Sequence, residues 1–335
     1  MKHTHEELIQ LQELPLEDKV RMTKMRIQQW YLTFESKVYV SFSGGKDSTV
    51  LLHIARSMYP DIPAVFVDTG LEYPEIREFV KSVPGVTIVR PEIRFKQVLE
   101  KYGYPVISKE VADTVMYAQK GSEWALKKLC GEGKNDAANK FRQRFEKWAY
   151  LKDAPFKVSA KCCQIMKKSP AHKYERISGN HPILATMADE SQMRYAAWLE
   201  HGCNAFDAAR PISQPMSFWT ENDVLEYLKV NDVPYCPIYG EVVEDDGEFR
   251  TTGADRTGCM FCMFGVQREK SPNRFERMRE THPKLYDYCM RPANEGGLGL
   301  AKVLDYIGIA LKERYQTHGA YDDWERLRRM QEDDK

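Results

Sequence analysis

Val38-Tyr39-Val40-Ser41-Phe42-Ser43-Gly44-Gly45-Lys46-Asp47-Ser48-Thr49-Val50-Leu51-Leu52 decides the fold. It opens as a short β-rich apolar run, turns through Ser-Gly-Gly-Lys-Asp-Ser, and continues with Val50, Leu51, Leu52, Ile54 and Ala55 in a pattern suited to a buried helix. A strand, a glycine turn and a helix start together form an anion seat. Glycines let the backbone come close, and free N–H groups and the helix dipole face the anion. Lys46 adds a full positive charge, and Ser43, Ser48 and Thr49 add hydroxyl groups. The stretch predicts a phosphate or sulfate site, against the plain reading of a Gly-Gly loop.

It is not a Walker A loop, which needs Gly at position 40 and Ser or Thr after the lysine. Val40 and Asp47 stand there. The string Ser43-Gly44-Gly45-Lys46-Asp47-Ser48 resembles the PP-loop of ATP pyrophosphatases, which cut ATP between the α and β phosphates.

The 335 residues suffice for one large α/β domain or somewhat more. The formal charge is zero, so global charge does not argue for nucleic acid. No apolar run approaches the roughly 18–20 residues of a membrane helix. The stretch Met1-Lys2-His3-Thr4-His5-Glu6-Glu7 is polar and lacks a signal h-region. The expectation is a cytoplasmic protein without a membrane partner.

Residues 6–34 read as helical, broken at Pro15, a lead-in without chemistry. Ala64-Val65-Phe66-Val67 is a continuous apolar strand, as in a parallel sheet buried on both faces. It ends in Asp68-Thr69-Gly70-Leu71-Glu72, at the carboxyl edge where open α/β sheets bind ligands. Asp68 either serves a nucleotide or caps the helix expected at 74–82. Further strands are expected at 86–89, 183–187 and 207–213, with helices at 95–102, 220–230, 270–290 and 300–315. Residues 110–150 read as helical and polar. From 120 to 168 there are thirteen Lys or Arg against five Asp or Glu. Lys140, Arg142, Arg144 and Lys147, interleaved with Phe141, Phe145 and Trp148, suit a phosphate backbone. The plainer reading is an amphipathic helix with solvated charges.

Eight cysteines in a long chain of this kind do not suggest a disulfide frame. Four form two tight pairs, Cys162-Cys163 and Cys259-x-x-Cys262. Four thiolates can hold zinc or an iron–sulfur cluster. Adjacent cysteines point apart, which is awkward for one tetrahedral ion but workable for a cube offering four irons. The pattern favours a 4Fe–4S cluster, with zinc as the alternative and small buried thiols as the structural reading. Lys161, Lys167 and Lys168 flank the first pair.

In order, the PP-loop, Asp68-Thr69-Gly70-Leu71-Glu72, Cys162-Cys163, Asp189-Glu190-Ser191 with Arg194, and Cys259-x-x-Cys262 resemble the sulfonucleotide (PAPS/APS) reductase family of adenine-nucleotide α-hydrolase-like proteins. The resemblance runs from about 35 to 265. It implies an α/β fold: a Rossmann-like parallel five-stranded sheet with flanking helices, here with a helical basic insertion at 110–160 and a helical C-terminal extension at 266–335. The lead-in is 1–34 and the nucleotide-binding domain 35–265. The implied nucleotide contacts are Ser43, Gly44, Gly45, Lys46, Asp47, Ser48, Asp68, Thr69, Gly70, Lys167 and Glu190. Lys46, Asp47 and Arg194 are the candidate catalytic residues, and Cys162, Cys163, Cys259 and Cys262 the cluster ligands.

Three departures bear on function. The family's reductases attack sulfate with a cysteine in a Glu-Cys-Gly-Leu-His motif, and no cysteine follows Cys289 here. Met166 and Met187 stand where arginines are common, and a thioether cannot replace a bidentate arginine. The first expectation is therefore a PP-loop enzyme that cleaves ATP, with Mg²⁺ beside Asp47, to AMP and pyrophosphate. It would adenylate an acceptor, a tRNA or DNA, for iron–sulfur-dependent sulfur transfer from a cysteine desulfurase or thioredoxin-like donor. The alternatives are a PAPS or APS reductase forming sulfite, and a non-catalytic nucleotide- or redox-sensing module.

Overall fold

The computed structural model describes residues 2–130, 145–309 and 311. Residues 140–144 of the basic segment, and residues 310 and 312–315 of the helix expected at 300–315, lie outside them. In chain order the strands among the described residues are β1 (Val38–Ser41), β2 (Ala64–Val67), β3 (Val86–Val89), β4 (Val106–Ile107), β5 (His181–Ile183), β6 (Asn204–Ala205), β7 (Ile212–Ser213), β8 (Val242–Asp245), β9 (Glu248–Thr251) and β10 (Met263–Phe264). The chain divides into two compact units, Met1–Glu92 with Lys167–Gly258, and Ile93–Met166 with Cys259–Lys335.

The first unit is built on a sheet of order β3-β2-β1-β5-β7-β6. Its first five strands are parallel, as expected, and β6 adds an antiparallel edge to β7. The strand expected at 183–187 ends at Ile183, and residues 188–190 form a short 3₁₀ turn. β1 and β2 are apolar because helices cover them. Val38, Val40, Ala64 and Phe66 are fully buried with Val50, Leu51, Ile54 and Ala55 of the helix Lys46–Met58. That helix packs on β1, on the helix Leu16–Thr33 and on the helix Glu221–Val230. Between β8 and β9, Asp246 and Gly247 both take positive φ, the demand of a tight hairpin turn that an Asp-Gly pair meets.

The helices Leu16–Thr33 and Glu221–Val230 meet at a buried ion pair. Lys19 Nζ lies 2.7 Å from both carboxylate oxygens of Asp223. The same carboxylate accepts the Thr220 N–H at 2.7 Å, and the Thr220 hydroxyl accepts the Asp223 N–H in a capping box. Nearby, the Trp219 indole N–H donates to Thr23 Oγ1 at 2.9 Å.

The second unit joins β4 to β10 in parallel, with Met263 opposite Val106 and Phe264 opposite Ile107. Around them lie the helices Phe95–Tyr102, Lys109–Ala118, Glu123–Leu129, Arg274–Thr281, Pro283–Met290 and Leu300–Tyr306. Gly103 has φ +110° and abuts Lys157, whose carbonyl would lie 2.3 Å from a Cβ there. This close approach lets the Tyr104 N–H donate to that carbonyl at 2.8 Å. Of the interleaved aromatics, Phe145 is buried and Trp148 carries the Lys147 ammonium over its ring.

Removing one partner of a buried ion pair leaves the other charge uncompensated, at about 3–5 kcal/mol. Lys19→Ala is expected to lose stability on that scale in urea unfolding, and Lys19→Ala with Asp223→Ala to recover part of it. A loss no larger than that of an exposed lysine would refute this account.

Candidate functional site

The strand order reverses between β1 and β5: β1 leads to β2 on one side and β5 to β7 on the other. This is the switch point at which open α/β sheets present a crevice at their carboxyl ends. A cleft of about 390 Å³ lies there, walled by Ser41, Ser43, Gly45, Lys46, Asp47 and Ser48 at the end of β1 and by Leu184 to Met187 after β5. Of the residues singled out from the sequence, Ser43, Gly45, Lys46, Asp47, Ser48, Lys167, Glu190 and Arg194 all line it.

The loop is fixed by its own side chains. Ser48 Oγ donates to the Gly45 carbonyl at 2.9 Å and accepts the Ser43 N–H at 3.1 Å. Thr49 Oγ1 also donates to the Gly45 carbonyl, at 3.0 Å. Gly44 turns the chain at φ +73°, and a Cβ there would lie 2.7 Å from Val80 Cγ2 and 2.9 Å from Ile76 Cγ2. Gly44 thus shapes the loop from behind and is not among the cleft's lining residues.

Lys46 is buried, and its ammonium donates to the Asp255 carbonyl at 2.7 Å and pairs with Glu221 Oε1 at 2.8 Å. Its backbone N–H, the first of the helix, points to the Tyr239 hydroxyl at 3.4 Å. Asp47 Oδ1 is buried with no hydrogen-bond partner. Burial pushes the Asp47 carboxyl above its ordinary range, and Glu221 adds to this while Lys46 and Arg256 oppose it. Glu190 accepts the Met187 N–H at 2.9 Å and pairs with the Arg194 guanidinium. Burial lowers the guanidinium's pKa, and the charge of Arg256 adds to the effect. Four cationic side chains, Lys46, Lys167, Arg194 and Arg256, therefore border one cleft.

Asp68, Thr69 and Gly70 are not among that lining. Burial would raise the Asp68 carboxyl, but hydrogen bonds from Arg90 and Arg77, at 3.1 and 3.2 Å, hold it below its usual range. Gly70 N–H donates to Asp68 Oδ1 at 3.3 Å, and Thr69 Oγ1 donates to Glu72 at 2.7 Å. Nor does Asp68 cap the helix Pro74–Ser82, whose N-cap is Tyr73 without a side-chain bond. Sequence reading missed Glu221, Tyr239, Arg256 and Thr257. The one available signal was Thr220 as helix cap, which places Glu221 at a helix start.

All four paired cysteines fall in the second unit. Cys162 and Cys163 sulfurs lie 4.0 Å apart. The Cys162 thiol is pushed far up by its bond to Cys163, then by burial, then by the charges of Cys163, Cys262 and Cys259. The thiols of both pairs thus bear on Cys162 within one unit. Among the described residues no three His, Cys, Asp or Glu side chains are arranged for a single metal ion. A cluster of four irons asks less, since each thiolate needs only its own iron. By donor type the soft thiols suit iron–sulfur chemistry, while the lack of such a grouping among the described residues weighs against a single zinc ion. Arg274 Nη1 donates to the Cys262 carbonyl at 2.9 Å, fixing that backbone.

The fold and the cleft define an α/β protein with a cation-lined crevice at the switch point of a parallel sheet. The family profile of the phosphoadenosine phosphosulfate reductase domain matches residues 37–107 and 108–264, and the chain belongs to that family. An uncharacterised protein of Methanocaldococcus jannaschii is 25% identical over 290 residues, covering 81% of this chain. The chain spans about half of that relative's length, 54%. A phosphoadenosine 5'-phosphosulfate reductase of Photobacterium profundum is 23% identical over 79% of this chain and 88% of its own. A sulfate adenylyltransferase subunit 2 of Rhizobium meliloti is 25% identical over 64% of this chain and 62% of its own. Among solved structures, a PAPS reductase of Candida auris in complex with phosphate has a TM-score of 0.38 at 15% identity, covering 74% of this chain and 98% of its own.

The Asp47 carboxyl makes a pH prediction. Its pKa is raised on folding, so the folded state holds the proton more tightly and stability falls as pH rises above the unfolded value of about 3.9. Asp47→Asn is expected to raise the melting temperature at pH 7, with the gain shrinking toward pH 4. A lower melting temperature at pH 7 would contradict the burial cost assigned to this group.

Proposed function

We propose that the chain binds ATP in this cleft and transfers its adenylyl group to an acceptor as the first half of a sulfur transfer. The observation that carries this reading is the unpartnered Asp47 oxygen beside four cations in one crevice. A triphosphate supplies the anions for Lys46, Lys167, Arg194 and Arg256. Mg²⁺ bound to those phosphates supplies a partner for Asp47, since Mg²⁺ takes few protein carboxylates and several phosphate oxygens. The Glu221 carboxylate and Asp255 carbonyl that hold Lys46 would give way to phosphate. Lys46 and the loop amides would stabilise charge on the leaving pyrophosphate.

The adenylyl half involves no redox change. An acceptor oxygen attacks the α phosphorus, the bond to the β-phosphate oxygen breaks, and pyrophosphate leaves. A sulfur nucleophile then displaces AMP from the acceptor. Kinship with sulfate adenylyltransferase subunit 2 supports the adenylyl step. Cys162, Cys163, Cys259 and Cys262 would hold the 4Fe–4S cluster, with zinc the alternative ion; when bound, the cluster supplies a soft iron–sulfur centre. The acceptor class is a tRNA or DNA; a cysteine desulfurase donor would bring sulfur as a persulfide, and a thioredoxin-like dithiol would reduce the resulting S–S bond, becoming a disulfide, to free the thiolated acceptor.

The second reading is sulfonucleotide reduction, supported by the reductases among the relatives. It needs an accessible thiolate. Cys289 is fully buried, and burial pushes its thiol well above the ordinary value, which weighs against it as that nucleophile. The third reading, a non-catalytic nucleotide- or redox-sensing module, predicts binding without turnover.

The test is anaerobic purification, metal analysis, and pyrophosphate release from labelled ATP with tRNA or DNA present. Acceptor-dependent pyrophosphate release, lost by at least a hundredfold in Lys46→Ala, is the expected outcome; a group stabilising transition-state charge is typically worth about that much. Sulfite from PAPS or APS would establish the second reading instead, and tight ATP binding without products the third.

A further inference from the structure

The first unit holds a second cavity of about 630 Å³ that shares no lining residue with the cleft. It lies among the helices His5–Gln12, Leu16–Thr33 and Gln192–His201. We propose that it is a binding site for a small organic anion with a flat aromatic body, independent of the nucleotide reading above. Its volume falls in the usual range for small-molecule sites, about 300–1,000 Å³.

The apolar half is made by Leu11, Leu14, Met22, Phe206 and Trp198. Trp198 is only 2% exposed, and its indole N–H lies against the buried Cys203 thiol. Phe206 remains 38% exposed although its ring packs 5.1 Å from that of Trp30. Phe206 thus offers a ring face to a planar ligand, with the Trp198 indole packed behind the apolar wall.

The charge of the cavity points the same way. Arg26 lines it, donates to Gln29 Oε1 at 3.1 Å and touches the buried Cys203 thiol. No carboxylate is ion-paired with Arg26 among the described residues. The one carboxylate in the lining, Glu7, is already engaged, accepting the Thr4 N–H at 3.0 Å and facing His3 Nδ1 at 3.2 Å. An arginine fork without a counter-ion, beside an apolar wall, suits a carboxylate or sulfonate on a ring.

Anilinonaphthalene sulfonate, a flat aromatic anion, is the probe. The full chain is expected to bind one equivalent saturably, read by its fluorescence, while circular dichroism reports an unchanged fold. Arg26→Met should weaken binding by about tenfold or more, the worth of a charged hydrogen bond. Leu14→Trp, at a partly exposed loop position, should abolish binding by filling the cavity, and Lys46→Ala should leave it unchanged. The uncharged N-phenylnaphthylamine should bind wild type and Arg26→Met alike. Unsaturable uptake, affinity unaltered by both cavity variants, or loss in Lys46→Ala would overturn the assignment.

Discussion

Gly44 has no room for a side chain. Ile76 and Val80 of the neighbouring helix occupy the space where a Cβ would go, and the backbone sits in the left-handed region. This contact presses the turn after β1 against the core, so Gly45, Lys46 and Ser48 must face the other way, into the cleft. The hydroxyls of Ser48 and Thr49 then lock the Gly45 carbonyl. An exposed polar crevice is thereby held by apolar packing behind it, which is why the glycine loop is bounded by buried valines and leucines on both sides.

Much of this was legible in the sequence, for identifiable reasons. The runs Val38–Ser41 and Ala64–Val67 are short, continuous and β-branched, and became central strands. Tyr73-Pro74 and Thr220 mark helix starts by local chemistry, and both helices begin there. Local chemistry says less about strands that end early. Leu184 to Met187 look like strand, yet they form the wall of the cleft, because the sheet stops where the crevice opens. The antiparallel edge strand β6 has two residues and leaves no periodic trace.

The site was legible where it is contiguous and hidden where it is assembled. Lys46 and Asp47 announce themselves beside two glycines. Glu221, Tyr239 and Arg256 carry no motif, and only the fold brings them to Lys46 and Asp47. Asp68 shows the reverse: its position at a strand end looked functional, but Arg77 and Arg90 satisfy it locally. The helix Gln192–His201 contributes to the cleft and to the second cavity alike, Arg194 at one end and Trp198 and His201 at the other.

The pair formed by Lys19 and Asp223 bears on where this protein can be cut. The family match begins at residue 37, and a fragment trimmed to that boundary would discard Lys19, Thr23 and Trp30. Asp223 would then lose its cation and keep the Thr220 hydrogen bonds alone, in the same helix turn as Glu221, and the apolar face beside it would lie open to water. The segment ahead of the matched region is therefore scaffolding for the crevice, and a minimal soluble version of this unit has to start before residue 16.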